Sequence, residues 1–96
     1  MKFSLPKEII RPNIREALRR LGYFGLLMKE VSYVRRLSRS QHYPRFHLYL
    51  EEKQDLIIFN LHLDQKFTSY EGASAHSGEY DGEIVETEAT RIKNAF

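Results

Sequence analysis

Two stretches in the middle of the chain alternate apolar and polar side chains with a period of two. In "RFHLYLE", Phe46, Leu48 and Leu50 fall on one side, and Arg45, His47, Tyr49 and Glu51 on the other. In "LIIFNLHLD", Ile57, Phe59, Leu61 and Leu63 share one side, and Ile58, Asn60, His62 and Asp64 share the other. Such alternation predicts two half-buried β-strands, and "EKQD" between them predicts a hairpin turn. A two-residue turn at Lys53–Gln54 would place Leu50 opposite Ile57, Leu48 opposite Phe59 and Phe46 opposite Leu61. In that register His47 faces Asn60 and Arg45 faces His62, so the two histidines become diagonal neighbours. "LMKEVSYVRRL" predicts the preceding strand, because Val31, Tyr33 and Val34 favour extended backbone, but its alternation assigns no faces. The "GYFGLLM" stretch before it reads as a buried loop leading into the sheet, or as an apolar patch for a partner.

Two other stretches follow the helical period. In "NIREALRRLGY", Ile14, Ala17, Leu18 and Leu21 continue an apolar stripe begun by Ile10. Asn13 can cap this helix with Glu16 answering it, and Gly22 is placed for a left-handed stop. "LPKEIIRP" before it reads as a turn or helical start. At the other end, Ile84, Val85, Ala89, Ile92 and Phe96 form the apolar face of a final helix. Asp81 is its expected cap, with Glu83 and Glu86 near the start and Arg91 and Lys93 near the end. From Phe67 to Gly82 neither period is present, and loops beyond about 12–15 residues are uncommon in compact domains. Tyr70, His76 and Tyr80 suit an ordered loop folded over the sheet. The expectation is therefore one α+β domain spanning residues 1–96: a helix, a three-stranded antiparallel meander, a long loop and a C-terminal helix, with both helices on the apolar face.

Composition narrows the function classes. The absence of cysteine excludes disulfides, thiolate metal sites and cysteine nucleophiles. No stretch has the apolar length of a membrane span, and the first residues lack the pattern of a secretion signal, so the expected setting is cytoplasmic with no membrane partner. The net charge of +2 conceals a polarity. Residues 1–50 hold eleven lysines and arginines against three acidic residues, a balance of +8; residues 51–96 hold four against ten, a balance of −6. The basic half could meet phosphate, fold against the acidic half, or steer a protein partner or a second copy of the chain.

Two constellations carry chemistry. His62 and Asp64 point to one side of a strand, His47 is their cross-strand neighbour, and His76 lies in the long loop that could close over them. His47, His62, Asp64 and His76 are the candidate acid–base residues, and His62, Asp64 and His76 the candidate ligands of a divalent metal, the only cofactor entertained. The second set is basic: Arg11, Arg15 and Arg19 at spacings of four, then Arg36, Arg39 and Arg45, with Tyr43 and Tyr49 offering rings for stacking on unpaired bases.

The wording "ALRRLGY", followed by three strands and a helix, resembles the small double-stranded-RNA-binding-like fold, and in particular HicA-type toxins, which act on mRNA. The resemblance implies RNA as a partner. It carries over no catalytic residue, because the Gly-Ser-His signature of that family is replaced here by "SRSQHYP". Three readings result: an RNA- or anion-binding module, a small metal-binding protein or hydrolase with a His/Asp site, and a protein-interaction module.

Overall fold

The structure is a computed structural model that describes residues 1–10, 14–27, 31–65, 78–79 and 82–96. Strand β1 (Lys2–Pro6) leads into a 3-10 turn (Lys7–Ile9) and helix α1 (Ile14–Arg20). Strands β2 (Phe24–Leu27), β3 (Val31–Arg36), β4 (Arg45–Glu52) and β5 (Leu56–Asp64) follow, then a two-residue strand β6 (Gly78–Glu79) and helix α2 (Glu83–Lys93). All the strand pairings are antiparallel, in the order β1-β5-β4-β3-β2, with β6 added beside β5. The α+β class and the antiparallel sheet agree with the sequence pattern. Among the described residues no helix is long and apolar enough to cross a membrane.

The sheet is larger than the expected three strands, for two reasons. First, "GYFGLLM" is not a buried loop: Phe24–Leu27 forms a strand that pairs with β3, so the stretch expected to be one strand is a hairpin. Phe24 is 63% exposed on this edge. Second, the N-terminus is extended. Phe3 and Leu5 alternate with Lys2 and Ser4, and the Phe3 ring stacks on Phe59 at 5.0 Å. Pro6 is tolerated because it ends a strand at the sheet's edge. The expected long loop, residues 67–82, lies largely outside the described residues, and the part that is described includes β6.

The central hairpin keeps the expected faces but not the expected register. The Lys53 N–H donates to the Leu56 carbonyl at 2.9 Å, closing a two-residue turn at Gln54–Asp55, one residue further along than Lys53–Gln54. Leu50 therefore lies opposite Phe59, Leu48 opposite Leu61 and Phe46 opposite Leu63. A slip of two residues leaves every side chain on its own face, so the apolar pattern accommodates either register and the turn decides between them.

One face of the sheet carries the core. Leu18 of α1 and Val85, Ala89 and Ile92 of α2 join Tyr33, Phe46, Leu48, Phe59, Leu61 and Leu63 in one buried cluster. Gly22 ends α1 with φ of 100°, the left-handed conformation that favours glycine. The Gly22 N–H donates to the Arg19 carbonyl and the Tyr23 N–H to the Leu18 carbonyl, the paired bonds of a Schellman stop. Helix α2 opens on Gly82, which makes no side-chain cap; Asn13 and Asp81, the expected caps, lie outside the described residues.

A polar clamp crosses this core. Glu88 on α2 is only 4% exposed. Its carboxylate accepts the Tyr23 hydroxyl at 2.6 Å and both Nε and Nη2 of Arg91 at 2.8 and 2.9 Å. Arg91 Nη2 also donates to the Leu21 carbonyl at 2.8 Å, and Arg35 approaches Glu88 at 3.8 Å. The clamp ties α2 to the chain segment that leaves α1. Burial, then the hydrogen bond to Glu88 and that residue's charge, push the Tyr23 phenol far above its ordinary range.

Removing one partner of such a clamp strands the others. Glu88→Ala should cost about 3 kcal/mol in urea melts, near the low end for breaking a buried ion pair. Tyr23→Phe should cost about 1.5–3 kcal/mol at neutral pH, the range for a bond to a charged acceptor. The folded phenol resists ionisation, so its contribution is full below the unfolded value of about 10 and is lost as pH rises above it. The gap between wild type and Tyr23→Phe should therefore narrow above that pH; a gap that widens would contradict the clamp.

Candidate functional site: a His–Asp–His cluster beside a basic groove

The sheet face away from the helices carries the polar half of the alternating pattern. Across β4 and β5 the pairs are Arg45 with Asp64, His47 with His62 and Tyr49 with Asn60. The expected facing of His47 with Asn60 and of Arg45 with His62 is corrected by the shifted turn. The correction brings the chemistry closer together, because the two imidazoles are now directly opposite rather than diagonal.

Asp64 bridges them. His47 Nδ1 lies 3.1 Å from Oδ2, and His62 Nε2 lies 3.0 Å from Oδ1. Arg45 Nε reaches Oδ2 at 3.5 Å. On its far side, His47 Nε2 lies 3.0 Å from the Ser32 hydroxyl of β3. Tyr49 stacks against His47 at 4.5 Å and against His62 at 5.7 Å between ring centroids. The imidazole rings themselves are 5.1 Å apart. His47, His62 and Ser32 are buried, at 9%, 8% and 3% exposure.

The hydrogen-bond roles follow from charge. Burial alone would raise the Asp64 carboxyl, but hydrogen bonds to His47 and then His62, and the charges of those rings, hold it well below the usual carboxylate range. An ionised carboxylate only accepts, so His47 donates from Nδ1 and His62 from Nε2. With its proton on Nδ1, neutral His47 accepts the Ser32 hydroxyl hydrogen at Nε2. The four side chains thus form one continuous chain of bonds, Ser32–His47–Asp64–His62, fixed on three paired strands.

Beside the cluster runs a groove of about 430 Å³ lined by Phe24, Leu26, Arg36, Arg39, His42 and Arg45, among others. No carboxylate among the described residues lines it. Arg36 and Arg39 are exposed. Arg45 belongs to both features, since it contacts Asp64 and lines the groove. Its guanidinium also sits over the Tyr43 ring at 4.6 Å, and His42, Tyr43 and Arg45 shape an adjoining hollow of about 630 Å³.

The structure thus brings His47, His62 and Asp64 together, while His76 lies outside the described residues. The arginines separate into two groups. Arg36, Arg39 and Arg45 flank the groove, whereas Arg15 and Arg19 ride on α1, whose Leu18 packs into the core on the opposite side of the sheet. Arg11 lies outside the described residues. Ser32 and His42 were not singled out from the sequence. Ser32 joins the site only because β3 pairs with β4 as Ser32↔Tyr49 and Val34↔His47, and β3 alone gave no face assignment. No family model matches the chain, and neither a curated protein nor a solved structure matches it.

Asp64→Asn replaces one acceptor of the bridge with an N–H donor aimed at an imidazole N–H. The substitution should lower stability by about 2 kcal/mol in metal-free denaturant melts, the cost of an unsatisfied buried polar group. An Asn variant as stable as wild type would mark Asp64 as a solvated strand end rather than the keystone of the cluster.

Proposed function

We propose that this protein binds single-stranded RNA along the groove of Arg36, Arg39, His42 and Arg45. The observation that carries the reading is a channel with three arginines and a histidine on its walls and no carboxylate among the described lining residues. Guanidinium groups suit phosphate because their planar fork can donate two parallel hydrogen bonds to one phosphate. Tyr43, beside Arg45, offers a ring at the mouth of the adjoining hollow, where an unpaired base can stack next to a bound phosphate. The basic N-terminal half of the sequence and the resemblance to RNA-acting toxins point the same way. The footprint is narrower than the sequence suggested, since it uses the arginines of the sheet face and not those of α1.

A second reading, a hydrolase, draws support from one further fact. His47 and His62 stand close to the groove wall through Arg45, so a phosphodiester lying along the arginines would pass near two imidazoles and a carboxylate. Such groups can exchange protons with a reacting phosphate near neutral pH.

Fluorescence anisotropy with a labelled single-stranded RNA at several salt concentrations tests the binding. Affinity should fall steeply with salt, because each neutralised phosphate of a single strand contributes about −0.7 to the logarithmic slope. Arg36→Ala and Arg39→Ala should each weaken binding and shallow the slope by about that amount. Salt-insensitive affinity, or an equal loss in Arg19→Ala, would move the binding away from the groove.

A further inference from the structure

We propose that His47 Nδ1, His62 Nε2 and a carboxylate oxygen of Asp64 hold one divalent transition-metal ion, with zinc the best match. The three donors lie within 4.8 Å of one another. Zinc takes nitrogen and oxygen ligands at about 2.0–2.2 Å, which in a tetrahedron sets neighbouring donors about 3.3 Å apart. Each imidazole nitrogen already lies near that spacing from one carboxylate oxygen, His47 Nδ1 3.1 Å from Oδ2 and His62 Nε2 3.0 Å from Oδ1. Small rotations of the carboxylate and the imidazoles would gather two nitrogens and one oxygen around a single ion. Two imidazoles and a carboxylate suit zinc, and also iron(II) or manganese, whereas calcium and magnesium prefer all-oxygen sites.

The surroundings are those a metal-bound histidine needs. A ligating imidazole normally uses its other nitrogen to bond an outer partner that fixes the ring. Ser32 occupies that position on His47. A hydroxyl both donates and accepts. Without an ion it donates to His47 Nε2. With the ion on Nδ1, the His47 proton moves to Nε2 and the same hydroxyl accepts it. The bond survives in either state, so loading the site needs no rearrangement of β3. Tyr49 stacks on both rings, and the direct pairing of His47 with His62 places the ligands on two inner strands of the sheet. Three protein ligands leave a fourth position open for water or a substrate oxygen, as in catalytic rather than structural zinc sites.

The site does not depend on the RNA reading, and its test is separate. The full-length, tag-free chain is stripped with a chelator and titrated with zinc chloride by calorimetry, then with cobalt(II) by visible absorption. The expected result is one ion per chain at micromolar affinity or tighter, and the intense visible bands of four-coordinate cobalt. His62→Ala and Asp64→Asn should each weaken binding at least tenfold. Ser32→Ala, which removes only the outer partner, should weaken it about 10–100-fold. The wild-type titration decides the matter even where a variant fails to fold. A folded, metal-free wild type that takes up neither ion stoichiometrically overturns the site, as does undiminished binding in a folded His62→Ala protein. RNA affinity of the stripped protein, measured alongside, shows whether the groove works without the ion.

Discussion

The turn from Lys53 to Leu56 determines which side chains meet across the two central strands. Its position sets His47 against His62 and Arg45 against Asp64. Everything on the polar face depends on that register. A turn placed one residue earlier would put His47 against Asn60, separate the imidazoles and leave Asp64 beyond the end of β4. The hydrophobic face constrains the choice only to registers two residues apart. Within that limit, the backbone bond from Lys53 to Leu56 selects the one in which a carboxylate bridges two histidines.

The two faces of the sheet use buried polar groups for different ends. On the helix side, Glu88 is held by Tyr23 and Arg91 and fixes α2 against the exit of α1. Both of its oxygens are engaged within the core, which makes it a structural clamp. On the other side, Asp64 is bonded to two imidazoles and to Arg45, and in the proposed metal site the imidazole protons facing it would give way to the ion. Burial of His47 and His62 among Ser32 and Tyr49 fixes the rings, and Arg45 couples the cluster to the groove. A fixed donor set next to an open cationic channel is the arrangement on which the proposed RNA binding and the proposed metal site rest.

Much of this was legible in the chain. The period-two pattern of residues 45–64 gave the strands and their faces, the helical stripes gave α1 and α2, and Gly22 gave the stop of α1. The pairing of His62 with Asp64 on one face also followed from spacing. The extra strands did not. Phe3 and Leu5 alternate over too few residues, ahead of a proline, to announce β1, and the aromatic run at Tyr23–Phe24 concealed an edge strand in what read as a loop. Glu88 gave no signal at all, since an acidic residue on an amphipathic helix ordinarily faces water.

The sequence by itself determined which residues are apolar together and which polar together, because that depends only on local periodicity. It therefore specified the class of fold, the basic and acidic halves and the residue types available for chemistry. Only the tertiary structure decided which of those polar residues touch. Contact between His47, His62, Asp64 and Ser32 depends on where a turn falls and on the pairing of β3 with β4. The division of the arginines between two sides of the sheet depends on where α1 packs. Both are set by long-range pairing and burial, which link residues far apart in the chain and leave no trace in its local pattern.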